Sequence, residues 1–87
     1  MTTIQLEQYL VIRNIRKGIK LYYNNPGHKC AWKITSIKIW RSKHINNIPA
    51  FKIGLKHGLY NYASISSFDQ LHTAWLTERE MILCNFL

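Results

Sequence analysis

With 87 residues, the chain has material for one domain, 1–87, and a chain of this size buries only about 60–65% of the surface its unfolded form exposes. Its 47% hydrophobic and 13% aromatic content excludes disorder and supports a core that needs neither metal nor disulfide. Twelve Lys/Arg stand against the carboxylates Glu7, Asp69, Glu78 and Glu80, giving a net charge of +8 and a pI near 9.8. On so small a surface that field attracts polyanions, so the partner classes that fit are nucleic acid, an anionic membrane surface and an acidic protein.

No apolar run approaches the roughly 18–20 residues of a membrane span. The segment Met1-Thr2-Thr3-Ile4-Gln5-Leu6-Glu7 lacks the basic and apolar regions of a signal peptide. A cytoplasmic protein without membrane contact is therefore expected, with Cys30 and Cys84 kept reduced. Heavy use of Ile, Lys and Asn, with Val11 the only valine, suggests an AT-rich coding genome such as that of a phage, a plasmid or a low-GC bacterium.

In chain order, the stretch from Thr3 to Arg16 has apolar residues (Ile4, Leu6, Tyr9, Leu10, Val11, Ile12, Ile15) scattered around a helical wheel, although Ile4, Leu6, Leu10 and Ile12 also alternate as a strand would. We read a short helix leading into a turn at Asn14–Gly18, with an acid near its start and Arg13, Arg16 and Lys17 near its end to suit the helix dipole. Ile19 to Tyr23 alternates and stops at Asn24-Asn25-Pro26-Gly27, a strong turn signal. Ala31 to Arg41 is the longest strand candidate. Its apolar register runs Trp32, Ile34 and then Ile37, Ile39, so parity flips at Thr35-Ser36 and predicts a one-residue bulge, a device that bends the strands of small barrels. Phe51, Ile53 and Leu55 alternate with Lys52, Gly54 and Lys56, and after a turn at His57-Gly58 the stretch Leu59 to Ile65 alternates again, with Leu59, Ala63 and Ile65 inward.

The last third reads as helix. Ser67-Phe68-Asp69-Gln70 and Thr77-Glu78-Arg79-Glu80 both fit the capping-box pattern. They imply helices over about 68–76 and 78–86, with Leu71 and Trp75 directing the first inward and Met81, Ile82 and Phe86 the second; a single bent helix is the alternative. Arg16-Lys17-Gly18 before a strand, the Pro-Gly turn, the bulged long strand and a short final strand resemble, over residues 16–66, SH3-like small barrels. An α-β-β-β-α layout like that of double-stranded-RNA-binding domains is a second resemblance. Leu76-Thr77-Glu78-Arg79-Glu80 resembles the opening of the helix-turn-helix in LuxR-family regulators and is read as a capping box only. The expected fold is α+β: a small curved antiparallel sheet or SH3-like barrel of about four strands, with C-terminal helices and a short N-terminal one.

That strand parity sends Lys20, Lys33, Lys38, Lys52 and Lys56 outward together with Tyr22, Trp40, Tyr60 and Tyr62, while Arg13, Arg16, Lys17, Arg41 and Lys43 extend the patch from strand ends and turns. Lysines neutralise phosphates and release counterions, and flat rings stack unpaired bases. The expected function is non-enzymatic nucleic-acid binding, to DNA or RNA, mainly through phosphates. The bland alternative is that the rings form a second core layer beneath the C-terminal helices, or reflect strand propensity and solubility. A second function is a phage- or plasmid-encoded protein that inhibits a host protein by docking on it, since basic and aromatic residues also suit protein interfaces. A third is a metal-independent, toxin-like ribonuclease using Lys56-His57-Gly58-Leu59-Tyr60, against which His57 reads as an ordinary turn residue. No cofactor is expected. His28, Cys30, His44, His57, His72 and Cys84 supply only one close pair, short of a zinc pattern. Carboxylates are too few for paired acid–base work. Unpaired strand edges leave room for a homodimer.

Overall fold

A computed structural model describes residues 1–24 and 30–83. The Asn25-Pro26-Gly27 part of the expected turn, and the candidates His28, Lys29, Cys84 and Phe86, lie outside the described residues.

Helix α1 (Thr3–Ile12) is fixed at both ends by its own sequence. Thr2 Oγ1 accepts from the Gln5 N–H at 3.1 Å and Gln5 Oε1 accepts from the Thr2 N–H at 2.8 Å, a complete capping box. At the other end Asn14 takes the left-handed conformation (φ 59°). The Ile15 N–H then reaches Leu10 O at 2.8 Å and the Asn14 N–H reaches Val11 O at 2.9 Å, the Schellman pattern with its Leu10 and Ile15 side chains both buried. The turn after α1 therefore falls where the sequence placed it.

Five strands follow: β1 (Lys20–Tyr23), β2 (Ala31–Ile45), β3 (Ile48–His57), β4 (Asn61–Ile65) and, after helix α2 (Phe68–Ala74), β5 (Trp75–Thr77), which leads into helix α3 (Glu78–Leu83). They form one antiparallel sheet in the order β4-β3-β2-β1-β5. The α+β expectation of a curved antiparallel sheet flanked by N- and C-terminal helices is met. The α-β-β-β-α alternative is not, because four strands separate α1 from α2 and a fifth follows.

The expected bulge is present. Pairing steps from Ile34↔Leu55 to Ser36↔Gly54, leaving Thr35 as the extra residue, so Ile34 and then Ile37, opposite Ile53, both face the core. The core cluster lies between that sheet face and helices α1 and α2: Leu6 and Leu10 from α1, Leu21, Ile34, Ile53 and Leu55 from the sheet, Leu71 from α2.

Four local expectations are corrected. Trp75–Thr77 is strand, not the end of a helix, because pairing of Tyr23↔Trp75 and Leu21↔Thr77 satisfies the free edge of β1, a tertiary demand that outweighs local propensity. That strand also removes the single bent helix. Strand β2 does not stop at Arg41 but runs to Ile45, where Asn46 and Asn47, both left-handed (φ 52° and 64°), make the two-residue hairpin turn to β3. Leu59 is exposed, since Gly58 (φ 69°) turns the chain and β4 begins only at Asn61; Ala63 faces Leu55 but stays exposed on the edge strand. On α3 Met81 is buried as expected, whereas Ile82 is exposed.

Arg13 ties the helical layer together. All five of its N–H donors have acceptors: Glu80 Oε2 (2.8 Å) and Oε1 (2.7 Å), Tyr9 Oη (2.8 Å), Leu71 O (2.9 Å) and Trp75 O (2.7 Å). Glu80 closes the α3 capping box as well, accepting from the Thr77 N–H at 2.8 Å while Thr77 Oγ1 accepts from the Glu80 N–H at 3.3 Å. Burial opposes charge on both groups. The hydrogen bonds outweigh it, holding the Arg13 pKa above and the Glu80 pKa below their ordinary values. Because folding lowers the Glu80 pKa, its contribution is complete above the ordinary value of 4.5 and is lost as the pH falls through the folded one. Urea unfolding should show stability declining below that pH. Glu80→Gln should lose about 2–4 kcal/mol at pH 7 and flatten the acid limb; a full acid limb in that variant would contradict the assignment.

Candidate functional site: lysines in cross-strand register

Residues directly opposite in an antiparallel sheet share a face, so the register fixes which side chains emerge together. One row crosses four strands, Lys20↔Lys33↔Lys56↔Tyr62. A second, beyond the bulge, is Lys38↔Lys52, and a third is Trp40↔Ala50. The five lysines expected on one face are thus brought together, on the side away from α1 and α2. Trp40 (40% exposed) and Tyr62 (68%) stand open beside them, not beneath a helix. Between the lysine rows lies Ser36↔Gly54↔Ser64. A Cβ at Gly54 would stand 2.6 Å from Ser36 Oγ and 3.1 Å from Thr35 Oγ1, so glycine here lets the bulge hydroxyls settle against β3. The result is a groove of about 400 Å³ lined by Thr35, Ser36, Lys52, Gly54, Tyr62 and Ser64.

The electrostatics of this face are one-sided. Adjacent strands lie about 4.8 Å apart, so the stems of Lys20, Lys33 and Lys56 rise within about 10 Å of one another, an arrangement that costs stability. Glu7 lies on α1, Asp69 on α2, and Glu78 and Glu80 on α3. Glu80 is engaged by Arg13 and Glu7 by Arg41, and among the described residues no carboxylate bridges to a lysine of the face. The Lys56 ammonium lies 5.6 Å from the centre of the Tyr62 ring, within cation–π range.

The other expected residues separate. Tyr22 is half-buried opposite Leu76 and Ala31, on the lysine side but at the end of the sheet. Tyr60 is 87% exposed, in the turn before β4, where strand parity no longer acts on it. Arg41 follows outward Trp40 and turns to the helical side, with Nη2 3.4 Å from Glu7 Oε1. Lys43 is exposed within the stretch of β2 that lacks ladder partners between Trp40 and His44. Arg13 does not extend the patch; its guanidinium is consumed inside the helical layer, as above. His57 faces the core side, its Nδ1 2.9 Å from Ala31 O and its ring 5.4 Å from that of Trp32, so it does not converge with Lys56. Among the described residues no three His, Cys, Asp or Glu side chains cluster closely enough to hold a metal.

Sequence reasoning passed over the hydroxyls of Thr35, Ser36 and Ser64 and the role of Gly54. The signal was there: once the bulge is placed, its hydroxyl residues fall outward against the glycine of β3. No family model matches the chain, and neither a curated protein nor a solved structure is significantly similar to it. No described helix is long and apolar enough to cross a membrane.

Lys33 faces a lysine on each side, so Lys33→Thr should raise stability by about 0.3–1 kcal/mol at low ionic strength. Most of that gain should disappear in 1 M salt, where the Debye length is about 3 Å. Urea midpoints at two salt concentrations check it, and a gain indifferent to salt would show that repulsion is not its source.

Proposed function

We propose that the chain is a non-enzymatic nucleic-acid-binding protein whose ligand lies across the outer face of β2 and β3. The observation that carries this reading is the set of five lysines in register on an open face, with the side-chain carboxylates Glu7, Asp69, Glu78 and Glu80 all placed on helices. Phosphates along a strand supply the countercharge that the lysine rows lack, and their binding releases condensed counterions. Trp40 and Tyr62 offer ring faces at the margins of the rows, where an unpaired base gains about 1–3 kcal/mol by stacking. Such contacts position a backbone and read little sequence.

Five phosphate contacts predict a slope of log K against log salt of about −3.5 for a single strand and about −4.5 for a duplex. Anisotropy with labelled oligonucleotides should therefore show single-strand binding weakened about 100-fold between 50 and 200 mM salt. Replacing both Lys38 and Lys52 by alanine should reduce the slope magnitude by about 1.4 on that strand, whereas Trp40→Ala should weaken binding at an unchanged slope. Absence of binding at low salt defeats the reading.

A second reading rests on a different surface. Ile4, Val11 and Ile12 of α1 are all exposed, which favours a small docking protein, such as a phage- or plasmid-encoded inhibitor of a host protein. In a pull-down from nuclease-treated lysate, a stoichiometric protein partner lost in Val11→Asp supports docking. Material released by the nuclease supports nucleic acid.

A further inference from the structure

The lysine face ends in a cleft of about 760 Å³ lined by Lys17, Gly18, Lys33, Thr35, Lys56 and Gly58. Its walls are set by the backbone. The Gly18 N–H donates to Ile34 O and the Ile34 N–H to Ile19 O, each at 2.9 Å, pinning the turn after α1 against β2 immediately before the bulge. This brings Lys17, which strand parity does not govern, beside Lys33 and Lys56. Gly18 (φ 93°) and Gly58 (φ 69°) hold left-handed conformations, and a Cβ on either would meet nothing within 4 Å. The glycines thus form the turns and leave the space between them free of side chains. Thr35, unpaired in the ladder, lies between this cleft and the hydroxyl groove, and among the described residues no carboxylate lines the cleft.

Lys33 and Lys56 belong to the open row as well, and Lys17 from the turn after α1 adds a third ammonium group from a separate segment, which makes this end of the row a concavity. A phosphodiester brings one negative charge to such a site, whereas a phosphate monoester brings about 1.5 to 2 and three acceptor oxygens. The volume lies in the range of small-ligand pockets, about 300–1,000 Å³, so a sugar and base fit beside the phosphate. We propose that this cleft is an end-binding subsite that seats the terminal phosphate monoester of a nucleic-acid strand, with the following diesters crossing Lys56, the hydroxyl groove and the Lys38–Lys52 row. This rests on the nucleic-acid reading above and adds a preference for phosphorylated ends.

The test compares labelled single strands of one sequence carrying a 5′-phosphate, a 3′-phosphate or hydroxyls at both ends, together with amide chemical shifts during titration with a nucleoside monophosphate. One phosphorylated strand should bind at least 10-fold more tightly than the hydroxyl-ended strand, and Lys17→Ala should abolish that difference. Equal affinity of all three strands overturns the end preference and leaves general nucleic-acid binding intact. If no strand binds, the nucleic-acid reading fails, and the monophosphate decides the cleft by itself. Shifts at Gly18 and Gly58 that are lost in Lys17→Ala then keep it as a phosphomonoester site for a free nucleotide, and their absence removes it.

Discussion

A single extra residue in β2 decides which way this protein faces. Side chains alternate along a strand with a period of two, so a one-residue change in register exchanges its faces. Without Thr35 as a bulge, Ile34 and Ile37 would point to opposite sides, and Lys38 would be driven toward the core. With it, Ile34 pairs with Leu55 and Ile37 with Ile53 inside, while Lys33 pairs with Lys56 and Lys38 with Lys52 outside. The same irregularity places two hydroxyl residues over Gly54, the position in β3 with no side chain to obstruct them. Core, cationic rows and groove are three consequences of one backbone feature.

The helical layer keeps that outer face uncovered. Arg13 gathers the end of α1, carbonyls at Leu71 and Trp75, and the first turn of α3, so the helices pack with one another and with the inner side of the sheet. The side-chain carboxylates lie on the helices, and the lysines of the outer face lie on the strands. On the helical side Arg13 pairs with Glu80 and Arg41 with Glu7, whereas among the described residues no lysine of the outer face pairs with a carboxylate. Close like charges weaken a fold, and uncompensated sites of this kind are where natural proteins trade stability for function.

Much of this was legible in the sequence, for identifiable reasons. Alternation exposed the core register of β3, the parity flip of Ile34 and Ile37 exposed the bulge, and from these the lysine face followed by counting. The capping residues Thr77 and Glu80 announced α3. The edge strand Trp75–Thr77 was hidden, because three residues carry no periodicity and its cause lies in a distant partner, the free edge of β1. The Arg13 network was hidden for a related reason: side-chain donors meet carbonyls and a carboxylate far along the chain, and no local pattern marks them. Arg41 looked like part of the patch because it fell at the expected end of its strand, which in fact runs on to Ile45. Alternation itself sends it to the other side, where Glu7 holds it. The Asn46-Asn47 turn and the Thr2/Gln5 capping box carried short-range signals that a fuller reading of turn and cap chemistry captures.

Residue-resolved chemical-shift mapping with an unlabelled single-stranded oligonucleotide at low salt tests the central claim most directly. The account predicts perturbations concentrated on Lys33, Thr35, Ser36, Lys38, Lys52, Gly54 and Lys56, with the indole of Trp40 shifting alongside them and the buried face of α1 silent. Shifts confined to Ile4, Val11 and Ile12, or spread evenly over every exposed amide, would contradict it.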